Sequence, residues 1–163
     1  MCGLLGMLAA TGNVDKYVDA LERSLPCMRH RGPDAAGTWH DGDAAFGFNR
    51  LSIIDLEHSH QPLRWGPEDQ PDRYAMTFNG EIYNYVELRE ELKGLGYTFH
   101  TEGDGEPIVV GYHHWGKDVV NHLRGMFGIV IWETHTKTMF AARDQFGIKP
   151  LYYATTDAGT VFA

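Results

Sequence analysis

The stretch Met126–Glu133 (MFGIVIWE) is apolar at both alternating sets of positions, and Thr138–Ala142 (TMFAA) repeats the pattern after a turn at Thr134–Lys137. A strand with one wet face alternates apolar and polar residues, whereas one that is apolar on both faces needs cover on both. This pair therefore predicts central strands of a sheet with further layers above and below. A chain of 163 residues is one domain by length. It can bury about 70% of the surface its unfolded form exposes, enough for several layers.

The remaining elements follow from local pattern. Gly3–Ala10 reads as a buried strand, turned by Thr11-Gly12-Asn13. Val14, Val18, Leu21 and Leu25 recur at helical spacing, so a helix is expected over Val14–Leu25, with Pro26 ending or kinking it. Thr38–His40 and Ala45–Asn49 form an expected hairpin around Asp41-Gly42-Asp43, and His58–Pro71 reads as a loop. Arg73–Phe78 is an expected strand leading into Asn79-Gly80. Asn84 and Glu87 have capping-box spacing ahead of a stripe of Tyr85, Leu88, Leu92 and Leu95. Tyr97–His100 is read as a short strand, and Pro107 as the first turn of a helix carrying Ile108, Tyr112 and Trp115. Arg143–Pro150 is a connector, followed by expected strands at Leu151–Ala154 and Thr160–Ala163.

Composition narrows the function classes. The formal net charge is -8 with no basic block, which argues against a nucleic-acid partner. No apolar run reaches membrane-spanning length, so no membrane partner is expected. The start Leu4–Ala10 has no basic residues before it and is not a signal peptide. Cys2 and Cys27 make no disulfide framework, which fits a cytoplasmic setting. His113 and His114 are sequence neighbours on a helix and share no face; His58 and His60 lack a ligand framework. No metal site is expected.

Four features carry possible chemistry. Cys2 follows the initiator Met1. Once that residue is trimmed, Cys2 holds both a thiol nucleophile and a free α-amine, whose pKa near 8 suits a general base. The alternative is a buried, inert cysteine opening a strand. Arg50, at a strand end, offers a planar fork for a carboxylate, or simply an internal salt bridge. Asn79 and Gly80 place a side-chain amide and a backbone N–H side by side, the equipment of an oxyanion hole, although Asn-Gly is also a common turn. Asp104 either caps the helix after it or binds a ligand ammonium. The cationic run Met28–Asp34 (MRHRGPD) is either a solvated turn or a loop packed around the site.

Taken together, Met1-Cys2-Gly3, MRHRGPD, RLSIIDL at Arg50–Leu56, NGEIYN at Asn79–Asn84, GDGE at Gly103–Glu106 and RDQFGIKPLYY at Arg143–Tyr153 resemble a class II glutamine amidotransferase domain. They are most similar to the N-terminal glutaminase domain of glutamine-hydrolysing asparagine synthetases. Six motifs in order, spanning nearly the whole chain, make the resemblance specific. It implies an α+β fold, the four-layer αββα sandwich of N-terminal-nucleophile hydrolases, with two mostly antiparallel sheets between helical layers. It implies that Cys2 attacks the amide carbon of L-glutamine while Asn79 and the Gly80 N–H hold the oxyanion. Arg50 would take the substrate carboxylate, with Leu51, Ser52, Ile53 and Ile54 lining the pocket, and Asp104, helped by Glu81, the ammonium.

Two positions depart from the family pattern, Gly103 where a serine is frequent and Pro107 where an apolar residue is usual. The SGGxDS-type ATP loop of the synthetase half does not occur in this sequence. Residues 1–163 are therefore expected to form a glutamine amidotransferase type 2 domain, C-terminally truncated and without its synthetase domain. No cofactor is expected in this domain, since ATP and magnesium belong to the synthetase half. That half is the expected partner, and homodimerisation is left open. Two other readings remain: the same chemistry feeding another acceptor, and a non-catalytic binding module of the same fold.

Overall fold

A computed structural model of the chain describes residues 2–55 and 58–163. Met1 and Leu56, which belong to motifs named above, lie outside the described residues together with Glu57. Among the described residues the chain forms strands β1 (Gly3–Ala9), β2 (Ala35–His40), β3 (Ala44–Arg50), β4 (Leu63–Trp65), β5 (Tyr74–Ile82), β6 (Gly125–Glu133), β7 (Thr138–Arg143), β8 (Tyr153–Thr156) and β9 (Gly159–Phe162). The helices are α1 (Asp15–Ser24), α2 (Tyr85–Gly94) and α3 (Glu106–Trp115), with 3-10 turns at Leu25–Met28 and Gly116–Asn121.

The strands make two antiparallel sheets, ordered β2-β3-β1-β9-β8 and β4-β5-β6-β7. Alternation along each strand separates three apolar clusters. Leu4, Phe46, Phe48 and Phe162 of the first sheet meet Ala75, Val130 and Trp132 of the second between the sheets. Met7 and Ala45 face outward onto Val14 and Leu21 of the α1 segment. Met76, Phe78, Ile129 and Ile131 face the other way onto Leu88, Leu92, Ile108 and Val109 of α2 and α3. The result is helix, sheet, sheet, helix: the expected α+β sandwich. Burying a Leu, Ile or Phe of these clusters contributes about 1.5–3 kcal/mol each.

Several local expectations are corrected. Only β6 is doubly covered. β7 is an edge strand whose residues alternate between exposed and half-buried. Small Ala141 and Ala142 read as apolar in sequence without needing burial. The loop expected over His58–Pro71 contains β4, whose Leu63 and Trp65 are buried around exposed Arg64. Three residues are too few for alternation to register. Tyr97–His100 is not a strand. The buried Glu106 carboxylate binds it as a loop, accepting the N–H groups of His100 and Thr101 and the Thr101 hydroxyl. The Asn84 side chain does not cap α2. It bridges instead to the 3-10 turn, donating to His122 O and accepting from Arg124 N. Leu95, counted into the α2 stripe, is exposed at the helix end. Pro26 does not stop the chain's winding: it sits in the first turn of the 3-10 continuation of α1.

Candidate active site

Cys2 immediately precedes β1. Its side chain falls on the inward face, packed at the margin of the inter-sheet core. Asn79 lies on β5 of the opposite sheet with the inward parity of Ala75, and is buried. The two residues therefore face each other across the end of the sandwich. A cavity of about 180 Å³ opens there, lined by Cys2, Arg50, Leu51, Ile53, Ile54, Asn79, Gly80, Glu81 and Asp104. Nine of the ten residues singled out from the sequence thus converge on one space. The tenth, Ser52, is not in the lining; its backbone N–H donates to Asp34. A larger groove of about 780 Å³ crosses the outer face of the first sheet, but its walls are Leu5, Met7, Leu21, Val161 and similar side chains.

The surroundings of Cys2 are made by the two motif loops. Arg31 donates from Nε to the Cys2 carbonyl at 3.0 Å, and the Leu51 N–H points at the sulfur at 3.4 Å. Asp34 holds the Ser52 N–H at 2.8 Å, so the MRHRGPD loop packs around the site. Burial pushes the Cys2 thiol pKa up; the Leu51 N–H and the nearby Arg50 guanidinium oppose that shift without cancelling it. A thiol in this state needs a local base to become a nucleophile.

Arg50 is buried at the end of β3. Its Nη2 donates to the carbonyls of Ile54 at 3.3 Å and Asp55 at 2.5 Å, which curls the 51–55 loop around its own guanidinium. Asp55 fastens that loop to the next one. Its carboxylate accepts the N–H groups of Glu102 and His58, the His58 ring and the Ser59 hydroxyl. Burial works against the ionised form, but these donors outweigh it and bring the Asp55 pKa down to about 2. The Arg50 and Asp104 sides of the cavity are thereby held at a fixed separation. Where the family pattern would place a serine at Gly103, a Cβ would lie 1.9 Å from Ser59 Oγ. Ser59 occupies that space, so the departure at Gly103 has a local counterpart.

Asp104 does not cap α3, whose first position has no side-chain cap. It accepts the Ile82 N–H at 3.0 Å instead. Desolvation raises its pKa, the Ile82 N–H opposes this, and the neighbouring Glu81 adds to it. A carboxylate held in this way gains from a cation brought beside it.

The geometry of β5 singles out Gly80. In an antiparallel strand, N–H groups two residues apart point to the same side. On β5 the odd positions bond toward β6, as Tyr83 N–H does to Arg124 O. The even positions bond toward β4, where Leu63 pairs with Met76 and Trp65 with Tyr74. Beyond the end of β4 that edge exposes the N–H groups of Phe78, Gly80 and Ile82. Phe78 N–H is taken by Gln61 Oε1 at 2.7 Å, and Ile82 N–H by Asp104. Phe127, which faces Gly80 across the ladder, gives both its backbone groups to Asp144. Among the described residues the Gly80 N–H therefore has no protein partner and opens into the cavity. Asn79-Gly80 is not a turn, because β5 runs through it to Ile82. Glycine is required there: a Cβ would lie 2.2 Å from Met126 O and 2.8 Å from Phe127 Cα.

Five further residues line the cavity: Ser59, Gln61, Phe78, Met126 and Lys149. Lys149 ends the connector that Asp144 organises, its carboxylate accepting the N–H groups of Phe146, Ile148 and Lys149. Its place in the RDQFGIKPLYY motif was a signal for it. Gln61, in a polar loop, had none. No group of three or more His, Cys, Asp or Glu side chains among the described residues is arranged to hold a metal.

Comparison with known proteins agrees with this geometry. A family model described as a glutamine amidotransferase domain matches residues 1–163. A putative glutamine-hydrolysing asparagine synthetase of Mycobacterium tuberculosis is 56% identical over all of this chain, which covers 27% of that protein. Asparagine synthetase [glutamine-hydrolyzing] 1 of Bacillus subtilis is 44% identical over all of the chain, which covers 26% of it. The chain thus spans about a quarter of the length of these curated relatives. Among solved structures, glutamine phosphoribosylpyrophosphate amidotransferase from B. subtilis superposes with a TM-score of 0.75 at 20% identity, over 99% of this chain and 41% of that one, which shows a shared fold. A nucleophile-bearing cysteine at the second position, an open backbone N–H facing it and a family match over every residue lead to one assignment: this chain belongs to the glutamine amidotransferase domain family.

Proposed function

We propose that the cavity hydrolyses L-glutamine to glutamate and ammonia through a thioester on Cys2. The observation that carries this reading is the single open N–H of Gly80, left between two capped neighbours and facing the Cys2 side of the cavity. An unpartnered backbone donor beside a buried amide and a thiol suits an oxygen that becomes anionic during reaction.

The substrate is a zwitterion. Arg50 and the 51–54 loop take its carboxylate, and Asp104, with Glu81 at the rim, takes its ammonium. The side-chain amide then lies against Cys2. With Met1 removed, the α-amine of Cys2 accepts the thiol proton as sulfur attacks the amide carbon. A C–S bond forms, and the carbonyl electrons move onto oxygen, where Asn79 and the Gly80 N–H stabilise them. The C–N bond breaks as the ammonium delivers its proton to the leaving nitrogen, releasing ammonia and a γ-glutamyl thioester. Water then adds to the thioester, and the C–S bond breaks to give glutamate and the free thiol. The raised thiol pKa fits this sequence, because such a thiol stays protonated until its own base acts.

In the longer proteins that share this region, the ammonia is passed to an acceptor elsewhere in the chain. The names of the curated relatives favour aspartate as that acceptor, in ATP-dependent asparagine synthesis. The test joins intact mass to ammonia release. Protein that starts at Cys2 should release ammonia from glutamine, Cys2→Ala should not, and a permanent residue ahead of Cys2 should abolish activity with the fold retained. Full activity in the extended protein would refute the amine as base.

A further inference from the structure

We infer that Gln61 is a positioning residue for the oxyanion hole, its side-chain amide serving as the strand partner that β5 lacks where β4 ends. The inference rests on the glutaminase reading above. β4 and β5 pair in register, Leu63 with Met76 and Trp65 with Tyr74. Continuing that register by one more bonded pair puts position 61 opposite Phe78. The backbone of Gln61 does not take that place. Pro62 has no N–H to continue the ladder, and the Gln61 carbonyl turns toward β2, 2.4 Å from where a Cβ on Gly37 would lie. The side chain fills the vacancy. Gln61 Nε2 donates to Phe78 O at 3.0 Å and Oε1 accepts from Phe78 N at 2.7 Å, the same two bonds a strand residue would make.

The consequence falls on the next two residues. Asn79 and Gly80 follow Phe78 on the same rigid strand, and both line the cavity with Gln61 itself. Asp104 fixes β5 on the far side, at Ile82. Gly80 is thus suspended between two side-chain clamps, Gln61 and Asp104. Removing the first frees the Phe78 peptide to rotate or move outward and shifts the Gly80 N–H with it. Donors of this kind act only where they are held to within about half an ångström, so the effect appears in turnover and not in glutamine binding. Gln61 touches backbone and not the substrate's charged ends.

The test uses Gln61→Ala, with Gln61→Met as a second variant of similar length that cannot make either bond. The expected result is a kcat about 10–100-fold below the parent with KM for glutamine within about 3-fold. A further 10–100-fold fall should be largely absent when Gln61→Ala is placed in an Asn79→Ala background, because both changes disable one oxyanion site. Amide hydrogen exchange should rise at Phe78 and through Asn79–Glu81, with the inner-face residues of β6 unchanged. Parental kcat in a folded Gln61 variant, a raised KM at unchanged kcat, or unaltered exchange at Phe78 would each overturn the proposal. A parent protein starting at Cys2 that releases no ammonia would instead overturn the glutaminase reading and take the catalytic role of Gln61 with it.

Discussion

Replacing Gly80 by alanine tests the oxyanion assignment through geometry alone. The new Cβ would sit 2.2 Å from Met126 O and 2.8 Å from Phe127 Cα, both backbone atoms of β6. Neither can swing aside as a side-chain end would. Contact becomes tolerable only when β5 and β6 open locally by about 0.8 Å, because interiors are close-packed with little free space. That movement carries the Gly80 N–H away from the reacting oxygen. A misplacement of about 1 Å at a reacting centre costs roughly 10²-fold in rate, or about 2.7 kcal/mol of transition-state stabilisation. The overpacking itself costs about 1–3 kcal/mol of stability. For a domain of this size that lowers Tm by about 2–10 °C. Steady-state ammonia release over a glutamine titration separates the effects. The expected result is kcat down roughly 100-fold, KM little changed and a folded protein at the assay temperature. A Gly80→Ala protein with kcat within about 3-fold of the parent would show that this N–H does not serve the reaction.

Asn79→Asp should lower kcat by at least the roughly 10²–10³-fold known for loss of an oxyanion donor, since a carboxylate repels the developing charge; parental turnover would return Asn79 to a purely structural role. Asp104→Asn should raise KM by roughly 30-fold or more, about 2 kcal/mol for a lost buried charge partner. In the parent, the raised Asp104 pKa means the ammonium-holding form is present above that pKa and lost as pH falls through it, so glutamine affinity should weaken at a pH above the ordinary carboxylate range. The same shift makes ionised Asp104 a cost to folding at neutral pH, and Asp104→Asn should lose no stability there by thermal denaturation; a marked drop in Tm would contradict it. Cys2, with its thiol pKa raised by burial, should alkylate with iodoacetamide slowly at neutral pH, with the rate still climbing past pH 9; a plateau below pH 8 would refute that environment.

Much of this protein was legible in the sequence. Long apolar alternations marked β1, β5 and β6, and helical spacing marked the three helices, because periodicity over many residues reports which face is buried. The motifs gave Cys2, Arg50, Asn79, Gly80 and Asp104 as a set, since chemistry constrains residue identity at each point directly. What the sequence left undecided was position within the sheets. Whether Thr138–Ala142 is central or at an edge depends on what pairs beyond it, and its own composition does not record that. The tertiary structure alone decided that Asn79-Gly80 continues a strand, that Asp104 caps the edge of that strand and not a helix, and that Ser59 stands where Gly103 lacks a side chain. It also brought Gln61, from a loop with no motif, into the place of a missing strand partner. Each of these is a contact between segments far apart in the chain. The Gly80 N–H is open because of which neighbours are capped, and that follows from strand register and parity across two sheets, set by packing and not by any residue near Gly80 in sequence.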